Sequence, residues 1–398
     1  MNKISGIRAR KILNSRAIPT IEVEVEAEGV KGRASIPEGK SVGKYEAVSL
    51  PPEEGIKNIK ERIAPALIGK EVNFKEIDKE LIRMDGTENK SNLGANTILG
   101  ISLACARVQA KLEKKSLFDF LSQFFSSEPK DKKEIDLTLL MNIVNGGMHA
   151  FGGPDIQEYH IVVKGENLEE SIFLGAEIYR EMRRFFKGNI GDEGGLVPRF
   201  NDNQFPLEAI SRVIAEKQVR KKIRLGLDVA ASQLFDGEKY KIGQALLSSQ
   251  ELLEFYLRLS KKFDIVYLED PFFEDDYNSF AILKEKIEGC LIVGDDLTVT
   301  RLDKTKEALE RNAISGIVVK PNQVGTLSEV IDLINFAQKK GIKTIISHRS
   351  GETNDSFIAD LAVASGAWGI KTGAPARGEE VAKYNRLLEI YYEKKSQN

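Results

Sequence analysis

Between residues 137 and 371 the chain repeats one arrangement: a short apolar run, an amphipathic segment, then another run. The runs cover 137–144, 156–163, 223–227, 265–268, 291–293, 317–319, 344–346 and 368–370. The segments between them, such as 207–214, 251–259, 327–337 and 357–364, carry apolar residues at helical spacing. Runs this short and rich in β-branched residues read as buried strands. Strand–helix alternation then dictates a mainly parallel sheet covered by helices. Roughly eight strands close a β/α barrel of about 250 residues, which is near the span available. An open doubly wound sheet is the competing architecture, weakened because no G-x-G-x-x-G follows any run.

The earlier part of the chain follows a different rule. Ile21, Val23, Val25 and Ala27 alternate with Glu22, Glu24 and Glu26, the pattern of a half-buried antiparallel strand. Gly29 and Gly32 are expected to turn it into a second strand over 32–36. Gly39-Lys40-Ser41 looks like the end of a phosphate-binding P-loop. That motif needs a glycine where Ala34 stands, and no helical pattern follows, so a nucleotide site is rejected. From about residue 52 the spacing turns helical, most clearly over 96–112, where Ile98, Ile101, Leu103 and Ala104 form an apolar face. The polar, proline-containing stretch 125–133 has no periodicity and is the expected linker. With 398 residues, too many for one ordinary core, the chain reads as an N-terminal α+β domain over 1–125 and a β/α barrel over 134–398.

Charge and cysteine usage narrow the function. Lys plus Arg number 58 against 60 for Asp plus Glu, and no basic stripe is concentrated anywhere, so a nucleic-acid partner is not expected. Cys105 and Cys290 share no metal-type spacing, which suits a reduced, intracellular protein. No apolar run approaches membrane-spanning length and the first residues lack a signal-peptide core, so no membrane is expected and the cytoplasm is the expected location.

The chemistry is written at the ends of the runs. Successive runs end in Asp228, in Glu269-Asp270-Pro271, in Asp295-Asp296, in Lys320-Pro321, in His348-Arg349-Ser350 and in Lys371. In a barrel these residues share the C-terminal face, where β/α enzymes keep their sites. A lone Asp there is explained as a helix cap. Glu269 is not, because Pro271 and Glu274-Asp275-Asp276 delay the next helix, and lysines at 320 and 371 oppose the dipole of a following helix. Asp228, Glu269 and Asp295 would repel one another without a cation between them, and an all-oxygen set points to Mg²⁺. His149, His160 and His348 are the only histidines and lack zinc spacing; His160 reads as packing or surface. Lys320, one strand beyond such a metal, is expected to have a lowered pKa and to take a proton α to a carboxylate. Arg349, Ser350 and Lys371 read as a phosphate-binding corner. Glu193, framed by Gly191, Gly194 and Gly195, is an acid able to approach a substrate closely, with Gln157, Glu158 and His149 as further candidates.

These residues, in this order, resemble the enolase family. The likeness runs through Asn14-Ser15-Arg16, Gly94-Ala95-Asn96, Met141 to Gly147 with His149-Ala150, Asp155 to Glu158, Gly191 to Gly195, Leu268 to Phe272, Gly294 to Thr300, Lys320 to Thr326, Ser347 to Thr353 and Lys371 to Arg377. It implies a small α+β domain on a β/α barrel with an irregular start, a homodimer or octamer, and the reversible dehydration of 2-phosphoglycerate to phosphoenolpyruvate. It further implies Asp228, Glu269 and Asp295 as ligands of one Mg²⁺, with a second Mg²⁺ arriving with substrate and helped by Ser41. Lys320 would be the base at C2, and Glu193 with Glu158 the acid at the C3 hydroxyl. His149, Gln157, Glu158, Lys320, His348, Arg349, Ser350 and Lys371 would contact substrate. A Lys or His base with Mg²⁺ is what the enolase superfamily is known for.

Several positions depart from the family pattern. Glu38, Lys40 and Val42 alter the first mobile loop, Phe151 alters the loop at 150–154, and Ala17-Ile18 replaces a Gly-Asn pair. Glu38 adds a negative charge near the phosphate, which Lys40 offsets. Gln233 stands for a usual Glu, and Glu380 for a usual Arg, the latter a change expected at subunit contacts. The alternatives are a paralogue acting on a related phosphorylated or carboxylated substrate, favoured by the altered loops, and a non-catalytic binding protein, opposed by the retained proton-transfer and metal residues.

Overall fold

The computed structural model describes residues 2–40, 43–126, 134–186, 188–198 and 202–396. Ser41 and nearly all of the expected linker lie outside the described residues. The N-terminal sheet is a meander of β1 (Ile4–Leu13), β2 (Pro19–Ala27) and β3 (Val30–Ser35), antiparallel throughout, with β2 in the centre. The alternation of β2 is realised in full: Ile21, Val23, Val25 and Ala27 are completely buried. Its glutamates face out to cross-strand cations, Arg10 to Glu22 at 2.7 Å and Lys31 to Glu24 at 3.0 Å. β1 escapes a search for alternation because it is an edge strand with a single buried residue, Ile4, the rest exposed or half-buried.

The role expected for Gly32 is corrected. The turn is made by Glu28 and Gly29, both in the left-handed region, and Gly32 lies inside β3. It packs against α2: after α1 (Phe74–Asp85), the helix α2 (Ala95–Leu112) crosses the sheet so closely that a Cβ on Gly32 would sit 2.3 Å from the Ala104 carbonyl oxygen. α1 is delimited as its sequence dictates. Asn73 accepts hydrogen bonds from the amides of Lys75 and Glu76, and Gly86 ends the helix in the left-handed region. A short helix, α3 (Leu117–Ser122), closes this unit.

The barrel strands are β4 (Thr138–Asn145), β5 (Glu158–Val163), β6 (Ile223–Asp228), β7 (Ile265–Glu269), β8 (Leu291–Gly294), β9 (Gly316–Val319), β10 (Lys343–Ser347) and β11 (Gly369–Lys371). They pair in that order, and β11 closes the ring on β4. The helices α4 (Leu168–Phe186), α5 (Phe205–Glu216), α6 (Ser249–Lys262), α7 (Tyr277–Lys286), α8 (Leu302–Glu310), α9 (Leu327–Lys339), α10 (Phe357–Ser365) and α11 (Gly378–Ser396) accompany the strands. Their apolar faces and the strands' outward residues form the main core, while Leu140, Val162, Val266, Tyr267, Val293, Val318 and Ile345 fill the interior of the ring.

One strand breaks the expected rule. β5 is antiparallel to both β4 and β6. The connection from β4 holds only a turn of 3₁₀ helix, Gly147–His149, and is too short for a helical crossover, so the chain can only double back.

Buried polar contacts tie the N-terminal helices to the barrel. Arg107 pairs bidentately with Asp355 at 2.5 and 2.7 Å, Asp78 accepts from the amide and hydroxyl of Ser328, and Lys90 meets Glu329 at 2.6 Å. No helix among the described residues is long and apolar enough to cross a membrane. Replacing Gly32 by alanine should force β3 and α2 apart and cost about 1–3 kcal/mol in urea unfolding. Gly378→Ala, whose added atom would meet nothing within 4 Å, should stay within about 0.5 kcal/mol of wild type.

Candidate active site

Parallel strands all end at one rim, so β6 to β11 deliver their terminal side chains to the same mouth. The reversed β5 delivers its first residue there instead. Glu158 stands directly opposite Asp228 in the strand register. The rim opens on a cleft lined by Asp228, Asp295, Lys320, His348, Arg349 and Lys371, with His149, Gln157, Glu158 and Glu193 on its other wall.

The floor is a lattice of carboxylates and ammonium groups. Lys371 Nζ lies 2.8 Å from Asp228 Oδ2, 2.9 Å from Glu269 Oε1 and 3.2 Å from Glu158 Oε1. Glu269 also accepts from the Tyr267 hydroxyl, and Lys320 Nζ donates to Asp295 Oδ2. Burial and the charge of Asp228 push the Glu269 carboxyl well above its usual range, although Lys371 opposes them. Among the protein's own side chains, burial lowers the Lys320 ammonium and Asp295 outweighs it, a net upward shift that a metal at the carboxylates would oppose. Lys371 lines the same cleft as Arg349 and Ser350, and its ammonium donates to the carboxylates.

The opposite wall is a proton-bearing network. His149 Nδ1 is 3.3 Å from Glu193 Oε2 and 3.7 Å from Glu158 Oε1. Asn142 Nδ2 donates to Glu193 at 3.0 Å, and His160 Nε2 meets Glu158 Oε2 at 2.7 Å. Burial and Glu193 would raise Glu158, but Lys371 and His160 bring its carboxyl down to about 2. Burial would likewise raise Glu193, yet His149 and His348 hold it well below its usual range. Burial lowers His149, and Glu193 more than restores it. The proton therefore rests on the imidazole side of this wall. His160, expected as packing or surface, is fully buried and orients Glu158.

At the rim, Arg349 donates to both oxygens of Glu46 at 3.0 and 3.3 Å and to Asn322 at 3.1 Å, so its guanidinium is preset by the N-terminal unit. Ser350 Oγ accepts from the Lys40 amide at 2.9 Å. Lys40 Nζ crosses the mouth to Asp192 at 3.0 Å and to the Met148 carbonyl. Gln157 donates weakly to Asp228 at 3.4 Å. Glu380 is corrected as well. It is buried behind His348, 3.0 Å from its ring, and makes no surface that a subunit could touch.

Several site residues were not singled out by the sequence reading. Asp270 and Asp296 join Asp295, each offering one oxygen within 4.8 Å of the others. Asp270 accepts from the amides of Asp295 and Asp296, which fixes the loop after β8. The doublets Glu269-Asp270 and Asp295-Asp296 were the available signal. Glu46 and Asn142 carried none, because their partners lie far away in the chain.

Carboxylate oxygens that suit a hard divalent cation are gathered here: Asp270, Asp295 and Asp296 come within 4.8 Å of one another, while Asp228 and Glu269 meet on Lys371. Residues 137–397 match the model of the enolase C-terminal TIM barrel domain, and residues 4–121 that of the enolase N-terminal domain. The chain is 38% identical to an enolase of Sulfurisphaera tokodaii over 99% of this chain and 98% of the relative. It is 40% identical to an enolase of Methanosarcina barkeri over 98% and 94%, and 39% identical to one of Elusimicrobium minutum over 99% and 96%.

Removing the buried Lys371 by Lys371→Met should leave its carboxylates uncompensated and lower stability by about 3–5 kcal/mol in chelator. A hard divalent cation should raise the unfolding midpoint of both proteins, by about 2.7 kcal/mol at about 100 times the dissociation constant, and more in the variant. Thermal unfolding with and without chelator measures both effects.

Proposed function

The chain belongs to the enolase family and is a lyase that interconverts 2-phospho-D-glycerate with phosphoenolpyruvate and water, and we propose the following division of labour within its site. The observation that carries it is the placement of a lysine and a carboxylate–imidazole network on facing walls of one cleft: Lys320 follows β9, and Glu158 opens β5 across the ring. A base and an acid so placed act on opposite faces of a substrate held between them.

The family is metal-dependent. We read the metal as Mg²⁺, two per site, with Asp228, Glu269 and Asp295 as ligands of the first and Ser41 assisting the second, which arrives with substrate; when bound it neutralises charge on the substrate carboxylate. Lys320 takes the C2 proton on its Nζ lone pair and leaves the C2–H electrons delocalised into the substrate carboxylate; in a second step they become the C2–C3 double bond as the C3–O bond breaks. The departing hydroxyl takes a proton from the wall of Glu193, Glu158 and His149 and leaves as water. Because the carboxylates there are held ionised, that proton is the one His149 carries against Glu193. Gln157, His348, Arg349, Ser350 and Lys371 complete the substrate contacts, with Arg349 held in place by Glu46 for a bidentate approach to an anion.

We further propose that residues 1–125 and 134–398 are separate domains, that the protein works in the cytoplasm as a homodimer or octamer, and that it engages neither nucleic acid nor membrane. A near-balanced charge and the absence of a concentrated basic face support the last point.

Purified protein with Mg²⁺ should generate the ultraviolet absorbance of phosphoenolpyruvate from 2-phosphoglycerate, and Lys320→Ala should lower turnover by about 10²–10⁴. Base and acid act on different atoms, so their losses should separate. Lys320→Ala should lose exchange of the C2 hydrogen with solvent, whereas Glu193→Gln should keep exchange but lose dehydration. A folded wild type that forms no phosphoenolpyruvate would sink the assignment.

A further inference from the structure

His348 is gripped from behind. Its Nδ1 lies 3.0 Å from both oxygens of Glu380, a side chain 1% exposed in the first turn of α11. Its Nε2 faces the cleft, is buried, and has no hydrogen-bond partner among the described residues; Glu193 Oε1 lies 3.7 Å away. The space for Glu380 is purpose-shaped. A Cβ on Gly373, which sits at φ +67 in the loop after β11, would come within 2.9 Å of the Glu380 carboxyl carbon. Lys383, one turn along α11, is committed elsewhere: it donates to Glu352 at 2.8 Å and to the carbonyls of Thr353 and Glu379. Among the described residues, His348 is thus the hydrogen-bond partner of the Glu380 carboxylate.

We propose that Glu380 is a positioning residue that keeps His348 as an imidazolium, so that Nε2–H stands as a fixed donor aimed at Glu193 and the substrate. A carboxylate on Nδ1 fixes the proton there, and a second negative group before Nε2 favours a proton on that atom too. Of the groups around the ring, Glu380, Glu193 and Glu158 favour its positive charge. Burial opposes it, and the imidazole still ends up at about 9. The Glu380 carboxyl is itself raised, to about 7: burial and, on the next loop, Glu352 push it up, and His348 and Lys383 only partly offset them. Lys371 touches His348 only through its backbone carbonyl, which accepts from the His348 amide at 2.9 Å. The wall opposite Lys320 therefore carries two imidazoles, His149 and His348, both shifted toward their charged form, with Glu193 between them.

The inference deepens the proposed reading of the site, but the proton count on His348 can be read without turnover. Histidine-selective ¹⁵N NMR in Mg²⁺ buffer resolves only three side chains, His149, His160 and His348, assignable by single substitution. In wild type both His348 nitrogens should remain protonated at about pH 7.5. Glu380→Gln keeps an acceptor on Nδ1 but loses the charge, and should move the His348 titration down by at least about one pH unit. Its turnover should match wild type near pH 6 and fall increasingly behind as pH rises, while Glu380→Asp should retain much of the wild-type profile. A neutral His348 in wild type at about pH 7.5, or an unmoved titration in Glu380→Gln, overturns the proposal. Should Glu380→Gln fail to fold, the wild-type spectrum and Glu380→Asp still decide it. An inactive protein with a doubly protonated His348 would count against the enolase reading and leave this inference standing.

Discussion

The mouth of this barrel has more carboxylates than it can tolerate without cations, and much of the surrounding structure answers that excess. Asp228, Glu269 and Glu158 share Lys371; Asp295 has Lys320; Glu193 has His149. Buried ion pairs of this kind contribute little net stability, because desolvation offsets most of the attraction, yet losing one partner is costly. The lattice is therefore brittle, and the apolar layers outside and inside the ring must hold it in shape.

Strand direction decides what that lattice contains. Had β5 run parallel like β6 to β11, its mouth residue would have been Val163, and Glu158 would have pointed to the far end of the barrel. The short return through Gly147–His149 reverses the strand, brings Glu158 beside Asp228, and carries His149 into the cleft on the same loop. One irregularity at the start of the barrel therefore supplies two members of the proton-bearing wall. His160, two residues along β5 and on the same face, then supports Glu158 from below.

The barrel was legible because its signal is local. Each run of β-branched residues declares a strand, and the residue after it declares what the mouth receives; Asp228, Glu269, Asp295, Lys320, His348 and Lys371 all follow this rule. β1 was not legible, since an exposed edge strand has no alternation to read, and Gly32 was misread because its reason is a helix more than 70 residues away. The protonation states were also out of reach. Asp295 lies against Lys320 and three carboxylates surround Lys371, contacts that no spacing in the chain announces. A charge state depends on every neighbour, and neighbours contributed by different strands leave no mark on sequence spacing.

Glu380 shows the same limit from the other side. In the chain it is one of two adjacent glutamates opening a helix, where acidic residues are unremarkable because they complement the dipole. In space it is the second layer of the site, and the position that looked like a surface change is an interior one. The burial of Glu380, Lys383, Glu352 and His348 in one cluster is expensive compared with an apolar core of equal volume. Such a cluster behind a catalytic wall makes sense if rigidity and charge at the wall matter more than stability behind it. The helix that carries it, α11, packs on α10 and α4, so the long C-terminal helix is not only a cover for the barrel. It fixes, through one carboxylate, which atoms of the mouth can donate a hydrogen bond.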